Sequence, residues 1–382
     1  MRGTGAPGNN ASVVLALATE RASDPAFCIS WQALVAGSAS PQKIYQTPAF
    51  FAFLQGACKG DRLELLTMTR LSDGVLVGVV PVRVSRQALD FQLGPLCLHR
   101  AKVEMINLLG SIPAVPPGAA VAGYLADQLL ALFPNARAVF MQALPADSVH
   151  YADLKAIRAS GAMLATSLMR PWQQCYTIPL PATFDLYLDQ FSAKKRYNLN
   201  RQIRQLSAQV GKLELERIVH PGQVAGMMAA LAKVASSAEM RTILSEKSLT
   251  RLAGQQLLQC YVMRAEEQVL AVIVGLRAFD TLHIDNIFAA RKYLMLSVGT
   301  SAMHLAIKDA IAQGGLTRID FGYGTPNNEF RSTHVLETRS QVLLFDCTGS
   351  ISLLFFVHRH VVAVAERVIG LLKALRKRRL PR

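Results

Sequence analysis

Charge is scarce in this chain, and what there is leans one way. Asp, Glu, Lys and Arg make up 18% of the 382 residues, below the usual quarter. Yet 41 Lys and Arg stand against 26 Asp and Glu, a net charge of +15. With 51% apolar residues the composition excludes a disordered chain, and the basic excess points to anionic partners: nucleotide cofactors, nucleic acid or an acidic membrane surface. Paired cysteines are absent too. Cys28, Cys58, Cys97, Cys175, Cys260 and Cys347 are scattered without a Cys-x-x-Cys, which reads as buried free thiols in a reducing cytoplasm. None of the eight histidines falls in a His-Glu-x-x-His spacing, so no metal is expected.

Long uncharged apolar runs are missing as well. Val13 to Ala18 is too short for the core of a secretory signal and meets Glu20 at once; it reads as an opening strand. Ile351 to Leu372 is strongly apolar but carries His358, Arg359, His360, Glu366 and Arg367, against the about 20 nearly uncharged residues a spanning helix needs. Leu354, Val357, Val361, Val364, Val368, Leu371 and Leu375 recur there at helical spacing, and Arg376-Lys377-Arg378-Arg379 closes the segment. Two readings stay open: a basic amphipathic helix lying on an anionic membrane, or a helix packed on the protein with a solvated basic tail.

What is there is a unit written twice. The first copy has a hairpin, Leu63–Arg70 and Val75–Val84 around Ser72-Asp73-Gly74, a strand near Val103–Leu109, a helix over Ala119–Phe133 and a strand over Arg137–Met141. The second repeats the order with Leu257–Arg264, Val269–Arg277, Leu282–Ala289, Gly299–Gln313 and Arg318–Gly322. The turns and alternating apolar runs carry this reading. Between the units, Pro179 and Pro181 mark a boundary. A basic helix follows, with Ser192 as N-cap and Lys194, Lys195, Arg196, Arg201 and Arg204 along it.

The copies differ between strand and helix. The first has Ser111-Ile112-Pro113-Ala114-Val115-Pro116-Pro117-Gly118, and prolines bring no N–H donors. The second has Ser297, Gly299, Thr300 and Ser301 opening its helix. A helix start with free N–H groups behind a strand is an anion cradle, suited to the pyrophosphate of an acyl carrier. The last strand there ends in Asp320-Phe321-Gly322-Tyr323-Gly324. Period two sets His283 and Asp285 on one face of the strand before the helix, with Leu282 and Ile284 on the other, so a polar lining is expected on an otherwise apolar strand.

Four places carry a family resemblance: Trp31-Gln32-Ala33-Leu34 with Tyr45-Gln46-Thr47-Pro48-Ala49-Phe50; Leu76-Val77-Gly78-Val79-Val80-Pro81-Val82; the basic helix Lys194 to Arg204; and Asp320 to Gly324 with Phe330-Arg331. Together the chain resembles the GNAT superfamily of acyl-CoA N-acyltransferases, in its tandem group with cellulose- and exopolysaccharide-associated acetyltransferases and FemAB-like proteins. The superfamily's pyrophosphate signature survives here only as Leu296-Ser297-Val298-Gly299-Thr300-Ser301. Arg331 stands where the group has lysine, and cannot lose its proton.

The resemblance implies two tandem α/β domains, each a mixed sheet with flanking helices: residues 1–175, a degenerate copy; 176–350, the cofactor and catalytic half; and 351–382, the basic amphipathic helix. It implies transfer of an acyl group, acetyl first, from acyl-CoA to an amine or hydroxyl of a sugar or cell-envelope precursor, without a metal. Asp285 is the first choice for the base, then His283, with Asp320 orienting substrate and Glu239 as an outside candidate. Asn286 and Ile287 would pair with the pantetheine arm, and Ser297, Gly299, Thr300 and Ser301 with the pyrophosphate. Gly322, Tyr323, Gly324, Phe330, Arg331 and Arg196 would meet the acceptor. The expected place is the cytoplasm, with peripheral contact at the inner membrane left open; an aminoacyl-tRNA-dependent FemAB-like transferase and a non-catalytic membrane-associated assembly factor remain as alternatives.

Overall fold

The computed structural model describes residues 13–58, 60–93, 96–159, 164–169, 171–324, 335–346, 349, 352–358, 360–362 and 364–365. The chain opens with β1 (Val13–Leu17), α1 (Pro25–Gly37), α2 (Pro48–Ala57), β2 (Arg62–Arg70), β3 (Leu76–Leu93), β4 (Leu96–Leu108), α3 (Ala119–Leu132) and β5 (Ala136–Pro145). It continues with α4 (Val149–Ala159), β6 (Leu164–Leu168), β7 (Gln173–Pro179), α5 (Phe184–Asp189), α6 (Ala193–Val210), β8 (Leu213–Ile218) and α7 (Val224–Val234). Last come α8 (Ser237–Met240), α9 (Glu246–Gly254), β9 (Cys260–Ala265), β10 (Gln268–Ala278), β11 (Thr281–Ala289), α10 (Val298–Gln313), β12 (Arg318–Asp320) and β13 (Val335–Asp346).

These elements sort into two compact units, neither contiguous in sequence. One gathers Met1–Arg21, Gly60–Pro171 and Ser340–Arg382; the other gathers Ala22–Lys59 and Trp172–Arg339. The contiguous division at 175 and 176 therefore differs from the contact division, because α1 and α2 bury their apolar residues in the later unit. Trp31 is fully buried and donates its indole N–H to the Gln46 carbonyl at 2.8 Å. Thr47 caps α2 by accepting from the Phe50 N–H at 3.1 Å, with Pro48 at the first helical position, where a missing N–H costs nothing. The Trp and Gln-Thr-Pro motifs thus build a helical arm of the second unit.

In the first unit β1, β2, β3 and β4 pair antiparallel in that order, and β5 joins β4 in parallel across the helix α3. The turn at Asp73-Gly74 is as read, with Gly74 at φ 68°, a conformation glycine adopts at no steric cost. The β3–β4 hairpin runs well past the apolar cores seen in the sequence: Ser85 to Leu93 pair with Leu96 to Met105. Polar residues interleave there, yet Leu89 and Phe91 are buried against Phe345 and Leu343. The main core sets Leu66, Val80, Val82, Ile106 and Val139 of the sheet against Leu125 and Leu129 of α3.

The second unit repeats the plan. β8, β9, β10 and β11 pair antiparallel in order, and β12 joins β11 in parallel after the α10 crossover. β7 then pairs antiparallel with both β12 and Val335–Arg339 of β13. Ala302, Ala306 and Ala310 lie along one line of α10 and, with α6, cover the sheet over Met263, Ile273 and Ile284; small residues at that spacing let helix and sheet approach closely. Ser192 caps α6 as the sequence implies, accepting from the Lys195 N–H at 3.4 Å. Leu199 and Leu206 are the buried positions of its inward face.

Candidate active site

β11 and β12 are parallel partners for only three residues. Thr281, Leu282 and His283 face Arg318, Ile319 and Asp320, after which β12 ends while β11 runs on to Ala289. Beyond His283 the β12 side of β11 has no strand beside it among the described pairings, so the main chain from Asp285 to Ala289 presents an open edge there. The other side stays paired with β10, but the register slips: Ile284 pairs with Gly275 and Asn286 with Val274, leaving Asp285 as the extra residue of a bulge. The slip interrupts the strict alternation expected of His283 and Asp285, and bulges of this kind re-aim a side chain. Gly275 makes it possible, since a Cβ there would fall 2.7 Å from the His283 carbonyl oxygen.

The two residues end in different environments. His283 is buried, and burial pushes its imidazole down to about 4 against the opposing pull of Asp320. It is therefore a neutral ring at physiological pH. Asp285 reaches solvent, yet protein crowds it closely enough that desolvation pushes its carboxyl up to about 6. A carboxyl near neutrality fits general-base work.

Asp320 is committed elsewhere. It is almost fully buried beside an equally buried Arg339, whose Nη1 donates to its two carboxylate oxygens at 2.9 and 3.2 Å. Its Oδ1 also accepts from the Gly322 N–H at 2.7 Å, and His283 Nδ1 stands 3.9 Å from its Oδ2. Arg339 donates in addition to Glu337 at 2.6 and 3.0 Å. Burial alone would lower the Arg339 guanidinium, but the carboxylates of Asp320 and Glu337 outweigh it and raise it. The chain Glu337–Arg339–Asp320–His283 is thus a polar network under the strand ends, built for positioning. Tyr45, from the arm, sets its ring 6.4 Å from that of His283. Burial, with the charges of Asp285 and Asp320 adding to it, pushes its hydroxyl well up, so it stays protonated.

A 3-10 turn over Arg291–Leu296 leads from β11 to α10. Ser297, at φ 55° and ψ 39°, turns the chain into the helix. Thr300 and Ser301 are buried in the first turns of α10 and Gly299 is half-buried. The Ser301 hydroxyl, itself inaccessible, has no hydrogen-bond partner among the described residues. Asn286 and Ile287 lie half-buried on the open edge of β11. These cofactor candidates are therefore grouped along one edge and the helix start that follows it.

The acceptor candidates are less gathered. Gly322 takes φ 53° in the turn that ends β12, and the Gly324 N–H closes it on the Phe321 carbonyl at 2.8 Å. Tyr323 is half-buried beside them. Phe330 and Arg331 lie outside the described residues. Arg196 is on α6, paired with Asp189 at 2.9 Å, and Glu239 caps α8 through Ser236 at 2.6 Å, a structural duty. Sequence reasoning missed Arg339, Glu337 and Tyr45; only Tyr45 gave a signal, as part of the arm's motif.

The first unit lacks the open edge. There β4 stays paired with β5 to its last residue, Leu108 against Met141. The proline-rich loop that follows is tucked in, with Ser111 and Ile112 buried and Ala114 bridged to Val79.

Residues 193–331 match the family model described as acetyltransferase (GNAT) domain. Among solved structures, FemX is similar with a TM-score of 0.56 at 11% identity, over 83% of this chain and 95% of that one. The C-terminal domain of a putative lysylphosphatidylglycerol synthetase from Agrobacterium fabrum reaches 0.49 at 12% identity, over 88% and 96%. A tandem GNAT protein from the clavulanic acid biosynthesis pathway reaches 0.49 at 10%, over 89% and 100%. No curated protein matches the chain in sequence. The likeness to FemX speaks for the fold alone.

Proposed function

We propose that this chain, an acyltransferase of the GNAT type through its domain at residues 193–331, moves an acyl group, in the simplest case acetyl, from acyl-CoA to an amine or hydroxyl of a sugar or cell-envelope precursor. The observation that carries the reading is the open main-chain edge of β11 beyond His283, with Asp285 bulged out at its start. An acyl-CoA fits that edge: its amide-bearing arm needs main-chain partners such as Asn286 and Ile287. Its phosphates suit the helix start around Gly299 and Thr300, the N–H groups of Ser297 and Ser301 being already bonded to the Leu294 and Ser297 carbonyls at 3.0 and 2.9 Å. Bound there, acyl-CoA supplies the thioester carbonyl.

The chain's own residues do the rest. Asp285 takes the proton from the attacking amine or hydroxyl; with its carboxyl near 6 it is ionised at pH 7.5 and a stronger base than an ordinary aspartate. His283 stays neutral and adds no charge beside Asp320. Asp320 and Arg339 hold the end of β12, and Tyr45 closes the wall beside His283. The turn Gly322-Tyr323-Gly324 and, in this reading, Phe330 and Arg331 meet the acceptor.

Calorimetry with acetyl-CoA and longer acyl-CoAs, followed by turnover against amino-sugar acceptors, tests this. Asp285→Asn should keep acyl-CoA binding and lose about 10²–10⁴ in turnover, the usual worth of a general base. Absence of binding to every acyl-CoA, or full turnover by the variant, defeats the proposal. A second reading, transfer from an aminoacyl-tRNA, is favoured by one feature: α6 exposes Lys194, Arg201 and Arg204 to solvent. Tight, steeply salt-dependent binding of charged tRNA would support it.

A further inference from the structure

The helical segment 352–358 is apolar on both sides, and among the described residues only one side packs against the protein. Inward, Phe355 stacks on Phe345 at 4.9 Å and meets Phe91 edge-on at 5.2 Å, and His358 Nε2 lies 2.8 Å from the Gln92 carbonyl oxygen. Outward, Leu353, Phe356, Val357, Val361 and Val364 are between 40% and 65% exposed. Their spacing of three and four residues makes them one helical stripe. Large apolar side chains grouped in this way mark an interaction surface.

Charge selects the partner. In sequence the stripe continues through Val368, Leu371 and Leu375, and Lys373, Arg376, Lys377, Arg378, Arg379 and Arg382 follow without an acidic residue among them. A second copy would bring the same basic run, and the same net +15, against itself. An anionic lipid surface accepts both the apolar stripe and the cations. Among the described residues no helix is long and apolar enough to cross a membrane. We propose that this face docks on an anionic phospholipid bilayer, with the stripe in the headgroup–acyl boundary and the basic residues on lipid phosphates. The proposal stands apart from the acyl-transfer site, and neither depends on the other.

Flotation of the full chain tests it, with vesicles of phosphatidylcholine alone and of phosphatidylcholine and phosphatidylglycerol in equal parts. The chain should float with the anionic vesicles at low salt and remain behind with the neutral ones. Each basic residue near such a surface contributes about fivefold, so Arg376→Gln/Lys377→Gln/Arg378→Gln/Arg379→Gln should lose on the order of several hundredfold in affinity. Phe356→Glu/Val361→Glu, two exposed positions, should lose at least about tenfold with an unchanged melting curve, since each removes buried apolar area and adds a charge. No flotation with anionic vesicles overturns the proposal, as does flotation that survives both variants. A dimer in sedimentation that Phe356→Glu/Val361→Glu dissolves, without vesicle binding, would assign the stripe to a second copy instead.

Discussion

Arg339→Met should be among the most damaging single changes in the second unit, although it touches no acyl-CoA or acceptor. Arg339 and Asp320 are both essentially inaccessible, and the guanidinium supplies both of the charge-assisted bonds to that carboxylate, at 2.9 and 3.2 Å. Methionine fills much of the volume and removes the charge. Glu337, about a quarter exposed, can be rehydrated; Asp320 cannot, and keeps only the Gly322 N–H at 2.7 Å and the neutral His283 at 3.9 Å. Breaking a buried pair from one side costs about 3–5 kcal/mol, because the survivor is a buried unpaired charge. Both tryptophans, Trp31 and Trp172, lie in this unit, so urea unfolding followed by tryptophan emission reads it selectively. At a urea dependence of about 2 kcal/mol per molar, the midpoint should fall by on the order of 2 M at pH 7.5. Asp320→Asn/Arg339→Met should regain most of the loss, since removing both charges removes the imbalance. A loss below about 1 kcal/mol at pH 7.5 would show that Asp320 is not left as a buried unpaired charge, as would a double variant no better than the single one.

Other outcomes follow from the same geometry. With the Asp285 carboxyl near 6, kcat/KM should rise through about pH 6 and level off above it; the same limb persisting in Asp285→Asn would dismiss Asp285 as the base. That carboxyl is also harder to ionise in the folded state, so the stability it contributes is full below the ordinary aspartate range and lost as pH passes 6. Asp285→Asn should therefore raise the melting temperature at pH 8 and leave it unchanged at pH 4, and equal shifts at both would contradict the desolvation. Gly275→Ala would put a Cβ 2.7 Å from the His283 carbonyl and 3.0 Å from that of Gln259, both main chain, for about 1–3 kcal/mol of strain; an unchanged urea midpoint would show that the bulge can yield. Trp31→Ala should cost about 3–5 kcal/mol as a fully buried aromatic and free the arm at 22–58 for proteolysis, and a protease-resistant arm would show that Trp31 does not anchor it.

What the sequence could disclose depended on how far apart the interacting residues stand. The paired hairpins and the strand–helix–strand order were readable because each is local: Asp73-Gly74 breaks the first apolar run, and Ser192 caps α6. The long end of the β3–β4 hairpin was not, since Ser85, Gln87 and Asp90 interrupt its apolar pattern while Leu89 and Phe91 find their core through Phe345, far along the chain. Membership of the arm was hidden for the same reason: apolar stripes on α1 and α2 announce burial but not against which core. Asp285 stood out as a polar residue in an apolar strand, yet its bulge is set by Gly275 on the neighbouring strand. Arg339 gave no signal, because nothing local distinguishes an arginine whose partner, Asp320, lies 19 residues away.

The open edge of β11 exists because β12 is stopped early, and Asp320 is what stops it. A fourth residue of β12 in register would pair beside Ile284 and begin to cover the edge. Instead the Asp320 side chain captures the N–H of Gly322, two residues on, which offers the backbone a turn in place of a ladder bond. Gly322 accepts φ 53° without cost, and Arg339 fixes the carboxylate from the far side. Burying this ion pair is expensive compared with an apolar core of the same shape, so its use here is geometric: it holds one strand end where a longer strand would cover the β11 edge. The first unit carries no such stop on its matching strand, β5 runs on to Pro145, and its β4 is paired to the end. Among the described residues one duplicated plan thus yields one open edge of this kind, and it lies in the unit whose crossover helix starts without proline.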